Sequence, residues 1–247
     1  MRVVGALLAA VVVLPGCFVD EVVLSARDRV EETRPFNPGG TFRLENSNGS
    51  IQIDTWDEPR VRIEAEKAAS DRTTLEATRI LVEGEGDRVE VRTRHPRRFL
   101  FGPSGKVDYH VTLPARARIE VENVNGRLKI TGIEGRVRAS TVNGSVEVRE
   151  AAGEVDVSAV NGSVEARCSE IDPRGRSRLS TTNGSVTLYL PRDASGEFEA
   201  STVNGRIRTD FDLDTDRRGR RLRGRLGKGD ARFDLSTVNG SIGILRR

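Results

Sequence analysis

The sequence has few of the residues on which enzymes and many binding proteins depend. It contains two cysteines and two histidines, and aromatic residues make up only 4% of its 247 positions. This scarcity disfavours an outer-membrane barrel, which carries aromatic girdles, and a single-strand nucleic-acid binder, which stacks bases on aromatic rings. Lysine occurs at only four positions, so 36 of the 40 basic residues are arginine. The net charge of +3 implies no strong overall field.

Candidate catalytic residues are equally sparse. Catalysis needs converging acids, bases or nucleophiles, whereas His95 lies in a basic turn and His110 lies on a strand, and neither has an evident partner. Cys168 is expected to be a small core residue. The alternating aspartates of 210–216 lack the glycine of a calcium loop and are expected to form a strand with an acidic outer face. We therefore expect no enzyme activity, no cofactor and no bound metal.

The N-terminus predicts export and lipidation. One arginine and a run of apolar residues, too short to span a bilayer, form a signal peptide over residues 1–16. Its end, Leu14-Pro15-Gly16-Cys17, resembles the lipobox of bacterial lipoproteins, which implies that Cys17 is acylated and holds the protein to a membrane. Phe18, rather than aspartate, follows this cysteine, which favours the outer membrane. Residues 17–40 are expected to be a charged, weakly helical spacer, apart from the acylated cysteine.

The remainder, residues 41–247, is dominated by the repeated phrase S-T-V-N-G-[SR]-[VI]. Self-similarity at a regular step indicates a repeat architecture. The first clear steps between the Asn-Gly glycines are 18 residues, from Gly126 to Gly144 and from Gly144 to Gly162. The Asn-Gly pairs are predicted to be structural turns, and they occur at Asn48-Gly49, Asn125-Gly126, Asn143-Gly144, Asn161-Gly162, Asn183-Gly184, Asn204-Gly205 and Asn239-Gly240.

Apolar and polar residues alternate after each turn, as in Val146-Glu147-Val148, which predicts strands with one buried face. Two all-β architectures fit. Asn-Gly between alternating strands is a strong hairpin signal, so an antiparallel meander or sandwich is one alternative. A parallel β-solenoid is favoured because it stacks each turn asparagine on the next, and stacked amides form a hydrogen-bonded ladder. A short helix is expected from Ser70, its N-cap, to Ile80.

The turn phrase, together with Val111-Thr112-Leu113-Pro114, Ile130-Thr131-Gly132 and Gly227-Lys228-Gly229, resembles the bacterial putative-adhesin domain family, of β-helical adhesin-head type. The resemblance covers roughly Thr41 to Arg247. It implies a β-repeat fold and brings no catalytic motif.

These observations predict a lipid-anchored, non-catalytic binding or adhesion module of the cell envelope. The alternatives are a periplasmic envelope-stress or regulatory scaffold and, third, a carbohydrate-active enzyme. Expected partners are the membrane, through the anchor, and polysaccharide, acidic lipid headgroups or another envelope protein, but not nucleic acid. Function is expected on the polar strand faces and on the insertions after Cys168 and Asp210. One insertion carries a candidate anion-binding set, because guanidinium groups match phosphate and carboxylate: Arg217, Arg218, Arg220, Arg221, Arg223 and Arg225.

Overall fold

The computed structural model describes residues 26–95, 105–213 and 219–247, which fold almost entirely as β-strands. Cys17, the signal peptide, Asp214, Asp216, Arg217 and Arg218 lie outside the described residues. The strands are β1 (Ala26–Glu45), β2 (Ile51–Trp56), β3 (Arg60–Ala69), β4 (Arg79–Glu83), β5 (Gly86–Arg94), β6 (Gly105–Pro114), β7 (Arg118–Asn125), β8 (Leu128–Thr131), β9 (Val137–Asn143), β10 (Val146–Ala151), β11 (Val155–Asn161), β12 (Val164–Cys168), β13 (Arg176–Asn183), β14 (Val186–Leu190), β15 (Gly196–Asn204), β16 (Ile207–Thr209), β17 (Arg221–Leu226), β18 (Arg232–Asn239) and β19 (Ile242–Arg246). A short helix, α1 (Arg72–Ala77), lies between β3 and β4.

The strands form two stacks of parallel strands. Stack A has the spatial order β6, β2, β8, β10, β12, β14, β19, β16. Stack B has the order β5, β1, β7, β9, β11, β13, β18, β15. One strand from each stack makes a coil. Numbered along the axis, coil 1 is β5 and β6, coil 2 is the end of β1 and β2, coil 3 is β7 and β8, coil 4 is β9 and β10, coil 5 is β11 and β12, coil 6 is β13 and β14, coil 7 is β18 and β19, and coil 8 is β15 and β16. The predicted parallel β-solenoid is confirmed.

The core lies between the two stacks. Because side chains alternate across a strand, every second residue points inward, and the inward residues of neighbouring coils stack in register. Val146 and Val148 of β10, for example, lie against Val164 and Ala166 of β12, and all four are buried. Near coils 7 and 8, Phe198 and Phe233 stack with ring centroids 4.7 Å apart. Aliphatic residues and a few aromatic rings, among them Phe36, Phe42 and Phe198, thus fill the core.

Glycine is required at the turns because the coils approach closely there. A Cβ atom on Gly144 would collide with the backbone carbonyl oxygen of Gly126, and one on Gly162 would collide with that of Gly144. The amide of Gly126 donates to the carbonyl of Asn143, at 2.9 Å, in the next coil. The same close approach recurs along the whole column of turns.

The coils do not stack in the order of the sequence. The first coil along the chain, formed by β1 and β2, lies between the coil of β5 and β6 and that of β7 and β8. The last coil, formed by β18 and β19, lies between those of β13 and β14 and of β15 and β16. The expectation that each turn asparagine lies on the previous one in sequence is therefore wrong at one end, where Asn239 lies between Asn183 and Asn204. At the other end Asn48 lies against Asn125, as expected.

Antiparallel segments cover the two ends of the stacks. At one end β3 pairs with β6, β4 pairs with β5, and the first part of β1 pairs with β3. At the other end β17 pairs with β15. Covering the end coils in this way reduces the exposed strand edge that would otherwise template aggregation.

Two local expectations are wrong. Residues 26–40 belong to strand β1 and not to a spacer, because their charges pair across the sheet: Arg29 lies 2.5 Å from Glu64, and Asp28 lies 2.7 Å from Lys67. Charges on a strand leave no apolar alternation for sequence analysis to detect. The helix N-cap is Asp71, not Ser70, because its carboxylate accepts from the Thr74 amide at 2.8 Å.

Among residues 26–95, 105–213 and 219–247, no helix has both the length and the apolar character needed to cross a bilayer.

Candidate functional site

A single row of valines is the most exposed apolar feature of the solenoid. It lies on the outer face of stack B, one residue before each turn asparagine, and the side chains are between 40% and 56% exposed. In the described part of the chain, every exposed large apolar side chain belongs to this row. We name it the valine stripe, and along the axis it consists of Val124, Val142, Val160, Thr182, Val238 and Val203.

The stripe follows from the alternation of the repeat phrase. Thr141 faces inward and is 4% exposed, so the next residue, Val142, must face outward. The inward threonines bind the backbone of the adjacent coil: Thr181 Oγ1 donates to the Gly162 carbonyl at 2.8 Å, and Thr237 Oγ1 donates to that of Gly184 at 2.9 Å. We call each residue of the stripe a rung. The bonds of Thr181 and Thr237 hold the adjacent rungs in place from beneath, whereas coil 5 has Ala159 at this position.

On one side of the stripe the turn asparagines form a continuous ladder. Each side-chain amide donates to the oxygen of its neighbour, over distances of 2.6 to 2.9 Å, except that of Asn48, which donates to the Gly105 carbonyl. Every asparagine has two N–H donors and the ladder uses one of them, so one donor per rung remains. The ladder runs in the spatial order Asn48, Asn125, Asn143, Asn161, Asn183, Asn239 and Asn204.

A row of serines borders the other side. In coils 4 to 8 these serines lie in register on stack B, two residues before the stripe. Within the described residues, none of their hydroxyls makes a side-chain hydrogen bond. The row consists of Ser140, Ser158, Ser180, Ser236 and Ser201. An apolar strip with a hydroxyl row on one edge and an amide row on the other can bind a ligand that has apolar faces and polar edges.

The stripe and its borders carry almost no charge. Charged residues are 31% of the chain, yet the six-residue turn segments 140–145, 158–163, 180–185 and 236–241 contain none. Charges appear only at the two ends, with Glu122 and Arg127 in coil 3 and Arg206 in coil 8. The four central rungs are therefore a neutral surface.

The rest of the outer face of stack B is charged, but its charges alternate in sign. Arg43 lies 3.4 Å from Glu90 and 3.6 Å from Glu120, and Arg138 lies 3.6 Å from Asp156. Neighbouring coils thus neutralise one another. Such exposed pairs contribute little to stability and leave no net field for a charged ligand.

The described arginines of the candidate anion-binding set lie on or next to strand β17, not on a loop. Arg223 lies 3.3 Å from Glu199, and Arg225 lies 3.3 Å from both Glu197 and Asp230. The two arginines and the two glutamates line part of an open groove of about 420 Å³. The charge of the arginines is offset by strand β15, because the antiparallel pairing places its glutamates opposite them. Arg220 and Arg221 also make contacts of their own.

The expectation that His110 has no partner is wrong. Its Nε2 lies 3.0 Å from Asp54 and its Nδ1 lies 3.3 Å from Glu64, on the outer face of stack A. Both ring nitrogens are thus engaged by carboxylates, so neither is directed at a third reacting group. The glutamates of adjacent coils on that face are also engaged, with Arg149 2.6 Å from Glu147 and Arg167 2.8 Å from Glu165.

Cys168 lies in the core and is 2% exposed. Burial raises the pKa of its thiol to about 11, so the thiolate that would act as a nucleophile or ligand is scarce at neutral pH. The acidic run begins with Asp210, whose carboxylate accepts from the Arg246 amide at 3.0 Å. Over 210–213 the backbone does not form the expected strand.

The sequence favoured the segments that interrupt the repeat and the polar strand faces as functional regions, and the valine stripe was not predicted. The signal was present in the repeat phrase itself. If the valine that closes each strand points inward, as the strong β-propensity of valine suggests, the preceding threonine points outward. The apolar residues earlier in the same strand, Val137 and Ala139, show the correct phase, because alternation from them places Thr141 inward and Val142 outward.

A family model and a solved structure with a TM-score above 0.5 agree with the fold. A family model described as Toastrack DUF4097 matches residues 41–245. The structure of a putative cell adhesion protein from Clostridium sporogenes aligns with 14% identity and a TM-score of 0.51, covering 89% of this chain and 100% of that one. A putative adhesin from Bacteroides fragilis aligns with 10% identity and a TM-score of 0.46, covering 88% and 97%. No curated protein sequence matches the chain.

Proposed function

Because the chain belongs to the Toastrack DUF4097 family, we propose that it is a lipid-anchored, non-catalytic binding module of the bacterial cell envelope, which docks a partner on the valine stripe. The observation that carries the proposal is that all exposed large apolar side chains of the described residues form this one row. Exposed apolar side chains that are contiguous mark interaction sites, whereas scattered ones do not.

The solenoid suits such a role because it is a rigid support. The asparagine ladder, the buried threonine bonds and the close glycine turns fix the spacing of the rungs at about 4.8 Å per coil. A preorganised surface loses little conformational entropy when it binds. A catalytic role is not supported, because His110, Glu147 and Glu165 are occupied by their neighbours and Cys168 is buried.

The anchor part of the proposal rests on the signal peptide and on Cys17. Between Cys17 and the start of β1 lie residues 18–25, which reach at most about 30 Å when fully extended. Strand β1 begins at Ala26, which pairs with Ala69 of β3 in the cap beside coil 1. The tether would therefore leave from one end of the solenoid, while the stripe begins at coil 3 and continues to the other end.

A binding experiment with isolated cell envelopes tests the docking surface. The variant Val124→Ser, Val142→Ser, Val160→Ser removes three rungs from coils 3 to 5, and we expect cosedimentation with envelopes to fall at least tenfold. The matched control, Lys129→Ser, Glu147→Ser, Glu165→Ser, changes three outward residues of stack A in the same coils. The control should bind like the wild type; equal binding by all three proteins would contradict the proposal.

The anchor has its own test. Cys17→Ser should move the protein from the membrane fraction to the soluble fraction after cell lysis, because acylation supplies about 0.8 kcal/mol per buried methylene. The Cys17→Ser change is combined with the three-valine change, so that the docking surface does not hold the chain to the envelope, and a combined variant that stays with the membrane would contradict lipid anchoring. The envelope experiment is done with protein that begins after residue 17.

A further inference from the structure

We propose that the valine stripe binds one uncharged, linear polysaccharide chain, which lies along the solenoid axis with successive sugar rings on successive rungs. The inference rests on the proposed docking function and names its ligand class. Three properties of the stripe point to this ligand: its neutrality, its repeat and the chemistry of its two borders.

Neutrality selects the charge of the ligand. An anionic polymer or a phosphate headgroup needs cationic partners, and turn segments 140–145, 158–163, 180–185 and 236–241 contain none. The nearest cations on stack B, such as Arg138 and Arg178, lie in a row with acidic neighbours. An uncharged ligand forms no ion pairs, so the absence of charge on the stripe does not weaken its binding, and that binding should not depend on salt.

Periodicity selects the shape of the ligand. Six rungs at about 4.8 Å give a strip about 24 Å long between the first and last positions. Each rung offers nearly the same set of groups, so a repeating polymer gains the same contacts with each added unit. A folded protein surface lacks that repeat and would match one rung but not its neighbours.

The borders select the chemistry of the ligand. A sugar ring has C–H faces that are apolar and a rim of hydroxyls. Its face would lie on a valine, while its hydroxyls would reach a serine Oγ on one side and the second N–H of a turn asparagine on the other. The serine hydroxyls have no side-chain partner within the described residues, so they do not need to break an existing bond.

Other occupants fit less well. An acyl chain or membrane surface would cover the serine and asparagine rows as well as the valines, and burying those polar groups without partners is costly. A second copy of the chain would need about 800 Å² of contact from each partner, which a strip one residue wide does not supply. Binding of single sugars should be weak, and affinity should rise with chain length until the rungs are filled.

The experiment uses envelopes treated in two ways before the cosedimentation assay. Periodate cleaves the vicinal diols of polysaccharides, whereas protease removes proteins and leaves polysaccharides intact. We expect stripe-dependent binding, defined as binding lost in the three-valine variant and kept in the stack A control, to fall at least tenfold after periodate and to survive protease and 0.5 M salt.

The outcomes separate the two proposals. Stripe-dependent binding that survives periodate but not protease overturns the polysaccharide inference and leaves the docking function standing. Binding that is not stripe-dependent overturns both. A direct assay with linear, uncharged β-1,4-linked glucan oligomers, whose sugars carry the diol that periodate cleaves, supplies the length series, with polygalacturonate as the charged counterpart. Affinity for the uncharged series should rise with length, and preference for polygalacturonate would overturn the inference.

Discussion

At the scale of the residue, the solenoid depends on a few small side chains whose roles are distinct. Asparagine links the turns through its amide, glycine permits the close approach of the backbones, and the inward threonine binds the next coil. Each of these residues acts on its neighbour in the stack rather than on its neighbour in sequence. The phrase therefore repeats in the sequence because its residues make the contacts between neighbouring coils.

Coil 5 lacks one of these contacts, which gives a prediction. Ala159 takes the place of threonine between Thr141 and Thr181, and it is 6% exposed. The change Ala159→Thr should add a hydrogen bond to the carbonyl of Gly144 and raise the free energy of unfolding by about 1 kcal/mol. Urea unfolding measures the effect. Ala159→Val adds the same volume without the hydroxyl, and a Val variant as stable as the Thr variant would contradict the role of the bond.

At the scale of the element, the notable feature is that both terminal coils of the sequence lie one coil inward from the ends. Strand β19 is hydrogen-bonded on both sides. On the side of coil 8, the Ile242 amide donates to the Arg206 carbonyl, and on the side of coil 6 the Val186 amide donates to the carbonyl of Ser241, which precedes β19; both distances are 3.0 Å. Chain ends usually fray because only one side is paired. Here the coil of β1 and β2 and the coil of β18 and β19 each lie between two neighbouring coils, so both of their edges are paired.

Hydrogen exchange tests this arrangement. The amides of Ile242 and Ile244 in β19 should be protected to the same level as those of Val186 and Leu188 in β14, because opening β19 requires separation of coils 6 and 8. Exchange of the β19 amides much faster than those of β14, as for a fraying terminus, would contradict the inserted position of the last coil.

At the scale of the whole molecule, the fold class could be predicted because the repeat fixes it. An 18-residue repeat whose strands each have one apolar face is compatible with few folds, and stacking of the turn asparagines favours parallel coils. The order of the coils could not be predicted, because any copy of S-T-V-N-G-S-V fits between any other two. Strand β1 was missed over 26–40 because charge pairs with β3, and not apolar alternation, hold it in place.

The candidate site was missed for a related reason. A residue such as Val160 looks like core in a sequence, since valine is usually buried in strands. Only the stack shows that the inward place is taken by Ala159, and that the valines of neighbouring coils combine into one exposed row. Conversely, Arg223 and Arg225 look like a binding site in sequence, and pairing with β15 places glutamates beside them.

The central claim, that the valine stripe is the surface covered by the partner, is tested most directly by chemical labelling at one rung. Val160→Cys places a reactive thiol on the stripe, Glu134→Cys places one on an exposed turn at the opposite edge, and buried Cys168 is the unreactive internal reference. Maleimide labelling is measured by peptide mass spectrometry with and without envelopes. We predict that envelopes slow labelling at position 160 at least tenfold and leave position 134 unchanged; equal labelling of position 160 with and without envelopes would contradict the account.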